Sequence, residues 1–227
     1  MLYNPNFDLY RQWSPQPDAL RPPYVAVFRR GAKTLVYLCD AHRMNKSFDM
    51  VDWVFDRANF PKPDVFLTEM TNDDNGRTGT CNENTLRYAA ATAAENGVPV
   101  VFADLSNTQM VAVLDKCFPD NKFSQDDLEK VFNGAPVSNR GVWGERSIAL
   151  NRHGRDKFML QNIAAALNTY DTVYAIFGEG HFYCQRLILE DMLGTPQIMD
   201  AIPNMRRDFG DLKVKPIKLI EFKAGEK

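Results

Sequence analysis

The chain predicts an α/β fold: a mostly parallel sheet with an antiparallel hairpin at its start and helices on both faces. Three observations predict it. Short apolar runs alternate along the chain with stretches of helical periodicity, the pattern of a layered α/β domain. Most of these runs are continuous rather than alternating, as in strands covered on both faces. The first two are separated by a short link containing Gly31, which suits a hairpin. With 227 residues the chain can bury one sizeable core. Residues 24–227 are therefore expected to form a single domain, preceded by an extended arm of residues 1–23.

The elements follow in order. Five prolines in the arm disfavour helix there. Residues 24–28 and 34–39 read as the hairpin strands. A helix over 46–59 places Phe48, Val51, Phe55 and Ala58 on one face, and Pro61 and Pro63 end it. Residues 65–69 form the next strand, followed by a polar loop over 71–79. Thr80 and Glu83 have the spacing of a capping box, which opens a helix to Asn96. Gly97 and Pro99 stop that helix. Residues 98–103 are a strand, and Ser106 with Gln109 caps a helix carrying Met110, Val113, Leu114 and Cys117 on one face. Ser124 and Asp127 open a shorter helix to Gly134. Residues 134–154, rich in Gly, Arg and Asn, read as irregular. A helix over 155–169 turns Met159, Ile163, Ala166 and Tyr170 inward. Residues 173–177 are a strand and 181–193 a helix, stopped at Gly194-Thr195-Pro196. Residues 214–222 suggest a final strand, placed at an edge by Pro216.

Composition narrows the function classes. A net charge of −2 argues against nonspecific binding to nucleic acid, which calls for a basic surface. No apolar run approaches the roughly 20 residues of a membrane span. The first residues lack the basic start and apolar stretch of a secretory signal, so a cytoplasmic location is expected. The four cysteines form no CxxC pair, which favours reduced thiols. Cys39 and Cys117 are expected in core packing.

The candidate chemistry lies at strand ends. Two of the three histidines close apolar runs: Tyr37-Leu38-Cys39-Asp40-Ala41-His42 and Ile176-Phe177-Gly178-Glu179-Gly180-His181. Between them a third run ends on Glu69. Ligands of open α/β sheets bind beyond the carboxyl ends of the strands. His42, Glu69 and His181 would then meet there. Such a set suits a catalytic divalent metal that acidifies a bound water. It equally suits metal-free chemistry, with a histidine taking a proton from water.

Neighbouring residues supply supporting roles. Asp40 stands two residues before His42 and can orient its ring or act as the base. Glu179 holds the matching position near His181. Gly178 and Gly180 allow backbone to approach a ligand closely. Arg155 suits a substrate carboxylate or a developing oxyanion, and Arg77, in the loop after Glu69, is a further candidate for the same task. His153 reads as a surface residue. Cys39-x-x-His42 and His181-x-x-Cys184 formally spell a structural zinc site, but Cys39 should point into the sheet packing.

These motifs resemble the TraB/PrgY/Tiki families and their wider relatives, the erythromycin esterases and ChaN. That pattern has a strand ending in G-x-x-H or G-E-x-H, then a strand-end glutamate. An R-(N/D)-x-x-M helix start follows, and a G-x-G-H closes the set. Here Glu69, Arg155-Asp156-Lys157-Phe158-Met159 and Gly178-Glu179-Gly180-His181 match in order. Cys39-Asp40-Ala41-His42 departs at the first glycine and carries Asp for Glu. The resemblance covers residues 33–194 and implies the fold and the site. It does not imply one reaction: relatives include metal-dependent proteases, esterases using histidine-activated water, haem binders and proteins acting on peptide pheromones.

The leading expectation is a hydrolase of a peptide or an ester. Water would be activated by a divalent metal (manganese, cobalt or zinc) held by His42, Glu69 and His181, or by His42 directly. Asp40 and Glu179 would orient the imidazoles. The alternative is a non-enzymatic binder of haem or a peptide in the same cleft. The expected partners are a small-molecule or peptide substrate and, for assembly, a homodimer.

Overall fold

The computed structural model describes residues 3–11, 20–41, 45–56, 60–71, 84–133, 140–203 and 219. Their strands form one mixed sheet of six. In chain order the strands are β1 (Tyr24–Arg30), β2 (Lys33–Asp40), β3 (Val65–Thr68), β4 (Val100–Phe102), β5 (Thr172–Gly178) and β6 (Gln197–Met199). In space the order is β4-β3-β5-β2-β1-β6. The β1–β2 hairpin is antiparallel, and β6 pairs antiparallel with β1. The pairs β2–β5, β5–β3 and β3–β4 are parallel. Only β1 therefore runs against the other strands.

The continuous apolar runs have the reason expected of them. Alternate side chains of each strand enter two different cores. On one face Leu35, Tyr37, Leu67, Val173, Ala175 and Phe177 pack with Met159, Ile163, Phe182 and Leu189. These last belong to α6 (Asp156–Thr169) and α7 (Glu179–Leu193). On the other face Val36, Leu38, Phe66, Tyr174 and Ile176 pack with Phe48, Val51, Leu86 and Ala89. These helical residues come from α1 (Asn45–Phe55) and α2 (Thr85–Glu95). A third apolar cluster joins α3 (Asn107–Cys117), α4 (Gln125–Asn133) and α5 (Arg140–Leu150) through Met110, Leu114, Leu128 and Leu150.

Several caps read from sequence are formed and several differ. Ser106 and Gln109 make the reciprocal capping box. Gly97 and Gly194 take positive φ where their helices stop, a conformation that favours glycine. The α2 helix is capped by Asn84, whose side chain accepts from the backbone of Leu86 and Arg87; Thr80 and Glu83 lie outside the described residues. The short Asn84 side chain reaches two of the orphan N–H groups of the first turn. At α4 the roles within the pair are reversed: Asp127 accepts from the Ser124 backbone and hydroxyl.

The largest departure lies within the segment 134–154, of which residues 140–154 are described. Instead of irregular chain, α5 runs into a π-helical turn, Asn151–Arg155, which continues directly into α6. Glycines at 141, 144 and 154 and two asparagines weaken the local helical signal. Packing against α3 and α4 supplies what propensity lacks: Leu150 is fully buried there and Trp143 packs against the same cluster. Arg146 and Lys130 both lie over the Trp143 ring, at 4.2 and 5.5 Å.

The structure also adds elements near the termini. The arm contains a 3-10 turn, Phe7–Leu9, because Asn6 caps it by accepting from the Asp8 backbone. Its side chains pack on the α6–α7 face rather than standing apart. The strand beyond α7 is β6, which lies before the run expected at 214–222. Of that run only Leu219 is described, and it makes a parallel bridge to Val100 at the β4 edge. Cys39 is fully buried as expected, whereas Cys117 is half-buried, at the end of its helix. The described cysteines, Cys39, Cys117 and Cys184, form no disulfide. Among the described residues no helix is long and apolar enough to cross a membrane.

Candidate active site

The parallel registers bring the strand ends together. Asp40 pairs with Gly178, and Thr68 with Ile176, so β2, β5 and β3 finish side by side. Glu69 continues the ladder, its N–H donating to the Ile176 carbonyl at 3.1 Å. It shares the parity of Val65 and Leu67, which face α6 and α7. Beyond β4, the Asp104 N–H donates to the Met70 carbonyl at 3.1 Å. This tie sets Asp104 beside Glu69.

Helix starts supply the cations. Arg155 closes the π-helical turn, where the Asp156 N–H reaches back to the Asn151 carbonyl. Its Nη2 donates to Glu69 Oε1 and to Asp104 Oδ2, both at 2.6 Å. Its Nε donates to the two Asp104 oxygens at 3.1 and 3.0 Å, and Nη1 to Asn151 at 3.3 Å. Burial opposes this charge, but Asp104 and Glu69 together hold the guanidinium even further above its ordinary value. Glu69 Oε2 accepts from the Gly178 N–H at 2.6 Å.

His181 sits in the first turn of α7, which begins two residues earlier than the sequence suggests. Its Nε2 lies 3.2 Å from Glu69 Oε1 and its Nδ1 2.8 Å from Asp156 Oδ1. Burial disfavours the charged ring, yet the two flanking carboxylates outweigh it and push the imidazole up to about 10. At neutral pH both ring nitrogens therefore carry protons. Asp156 is buried at 1% exposure. It also accepts from Gln185 at 2.6 Å and from the Tyr10 hydroxyl at 2.7 Å.

The result is an unbroken chain: Asp104, Arg155, Glu69, His181, Asp156. It borders a cavity of about 830 Å³ that Asp40, Phe132, Ile148 and Glu179 also line. Phe132 sits over Arg155, with its ring 5.2 Å from the guanidinium carbon. Comparison of the chain with protein-family models, with curated proteins and with solved structures gives no match. The chemistry of the site accordingly rests on its own atoms.

The expected residues divide into three groups. Glu69, Arg155, Gly178 and His181 converge as a unit. Asp40, Glu179 and Gly180 line the same cavity, with Asp40 1% exposed. His42 and Arg77 lie outside the described residues. His153 is exposed and does not line the cavity.

Two residues take partners that the sequence did not indicate. Arg155, expected to meet a substrate carboxylate or a developing oxyanion, has its guanidinium engaged by Asp104, Glu69 and Asn151. The partner that orients His181 is Asp156, not Glu179. Glu179 projects from the exposed start of α7, and partial burial raises its carboxyl. Helical geometry explains the substitution: Asp156 begins α6, which lies alongside α7, whereas Glu179 is only two residues from the ring it would have to orient.

The sequence reading missed Asp104, Gln185 and Tyr10. Asp104 follows an apolar run just as Glu69 does, so the same rule applied consistently would have found it. Gln185 is one helical turn beyond His181, within reach of the same neighbour. Nothing local marks Tyr10.

The arrangement does not suit a divalent ion held by Glu69 and His181. Glu69 Oε1 already faces a guanidinium and an imidazolium, and Oε2 accepts the Gly178 N–H. An ion at these atoms would have to displace the Arg155 charge and the His181 proton. Among the described residues no group of three or more His, Cys, Asp or Glu side chains is disposed to hold a metal.

Proposed function

We propose that the cavity is the active site of a hydrolase cleaving an ester or a peptide by metal-free acid–base chemistry. The carrying observation is the buried chain of alternating charges from Asp104 to Asp156, bordering a cavity at the carboxyl ends of β2, β3 and β5. Such positions are where α/β sheets hold ligands. Buried, mutually oriented charges are costly to assemble and collect at functional sites.

In this reading His42 takes the proton from water, and Asp40 orients its ring. The hydroxide adds to the substrate carbonyl. The first turn of α7, where Gly178, Glu179 and Gly180 line the cavity, supplies positive helix-end potential for the developing oxyanion, without reorganisation at the moment of reaction. His42 then returns the proton to the leaving oxygen or nitrogen. Arg155 and Asp156 keep Glu69 and His181 in place. Glu69, Arg155-Asp156-Lys157-Phe158-Met159 and Gly178-Glu179-Gly180-His181 also carry the resemblance to the TraB/Tiki and erythromycin esterase-like proteins, and membership there is part of the same proposal.

Cleavage across a panel of nitrophenyl esters and fluorogenic peptides tests it. His42→Ala and Glu69→Gln should each lower turnover by about 100-fold or more, while circular dichroism and the unfolding midpoint show both variants folded. The reading fails if the wild-type protein cleaves nothing in the panel. It fails equally if both variants retain full activity.

One observation favours a second reading, a binder of an apolar ligand such as haem or a peptide. Phe132 and Ile148 are 47% and 41% exposed, large apolar side chains at the rim of this cavity. Haem titration discriminates: a saturable Soret band lost on Phe132→Ala supports binding, and its absence beside measured turnover supports the hydrolase.

A further inference from the structure

The N-terminal arm reaches the site from outside the sheet. Tyr3 exchanges two hydrogen bonds with Asn168 near the end of α6. The Arg11 N–H donates to the Cys184 carbonyl of α7 at 3.2 Å. Between these ties, Phe7, Leu9 and Tyr10 pack on the apolar face formed by α6, α7 and the sheet. Lys157 lies over the Phe7 ring at 5.5 Å and Arg152 over the Tyr10 ring at 5.9 Å. The arm is thus fastened to both helices that carry the Asp156–His181 pair.

At Asp156 the three donors are divided unequally. Oδ1 accepts from His181 Nδ1 at 2.8 Å and from Gln185 Nε2 at 2.6 Å. The Gln185 amide is itself oriented by the Tyr37 hydroxyl at 3.1 Å. Oδ2 accepts from the Tyr10 hydroxyl at 2.7 Å. A carboxylate held through one oxygen can still rotate about its Cβ–Cγ bond; a donor on the second oxygen fixes the plane.

We propose that Tyr10 is a positioning residue of this site, its hydroxyl fixing the Asp156 carboxylate and, through it, the ring of His181. The arm then belongs to the active site although its described residues contribute no strand to the sheet. Burial, then Asp156, raise the phenol well above its ordinary value, so Tyr10 remains a donor at neutral pH. Its effect on turnover rests on the hydrolase reading; its effect on the ring does not.

The test is Tyr10→Phe in the full-length protein, labelled with ¹⁵N and followed at its histidine ring protons at neutral pH. With three histidines in the chain, the His181 signals can be assigned by substitution. Tyr88→Phe is the control. It removes a buried hydrogen bond from Tyr88 to Asp52 on the opposite face of the sheet. Tyr10→Phe should shift the His181 Nδ1–H resonance and lower kcat roughly tenfold, as losses of an orienting partner do, with KM little changed. Tyr88→Phe should lower the unfolding midpoint and leave that resonance in place. An unshifted His181 resonance in folded Tyr10→Phe overturns the proposal, whatever the midpoint does. A shifted resonance in a protein that cleaves nothing upholds the positioning role and removes the hydrolase reading.

Discussion

His181 shows how local charges decide a protonation state. Its ring is buried, which alone would favour the neutral form. Glu69 and Asp156 on either side reverse that preference, with Arg155 opposing them from beyond Glu69. The folded protein therefore holds this proton more tightly than the unfolded chain. The stabilisation is fully present below pH 6.5, the ordinary value, and is lost as pH rises through about 10. Unfolding in urea across that interval should show a decline in wild-type stability that His181→Gln lacks. Parallel curves for the two proteins would refute the charged ring. Among single residues, the sequence is legible where one ends a strand, as Glu69 does. The Tyr10–Asp156 bond spans 146 residues, and no local pattern encodes such a partner.

Among the elements, the π-helical turn between α5 and α6 does most to shape the site. It inserts an additional residue between two helices, which rotates α6 relative to α5. Wide turns of this kind often occur at functional sites. Here the turn delivers Arg155 to Glu69 and Asp156 to His181. Gly154, inside it, approaches Leu105 and α3 so closely that an added Cβ would lie 3.0 Å from Leu105 Cδ1 and 3.1 Å from both Val113 methyls. Gly154→Val should therefore destabilise the protein by about 2 kcal/mol through overpacking, measurable in urea unfolding. An unchanged midpoint would mean that α3 yields freely. Gly154 and its neighbours at 141 and 144 also hide α5 from a sequence reading. Low propensity there reads as irregular chain, and tertiary packing overrides it.

For the molecule as a whole, the central strands should be the most protected. β5 lies between β3 and β2, and Val173 to Phe177 are fully buried. Amide exchange should be slowest there and in β2, and faster in the short edge strands β4 and β6. Slower exchange in β6 than in β5 would contradict a core layered on both faces of the sheet. Reading the residues alone was enough for the α/β class, the opening hairpin, the order of most strands and helices, and the placement of Glu69, Arg155 and His181 at neighbouring strand and helix ends. Each of these depends on periodicity or on position at a strand end, both of which are local. Three-dimensional packing was needed to show that Arg155 faces Asp104 and Glu69, that Asp156 orients His181, and that the arm closes the network through Tyr10. Those pairings depend on which helices and strands become neighbours, and neighbourhood in space is set by burying two faces of one sheet together.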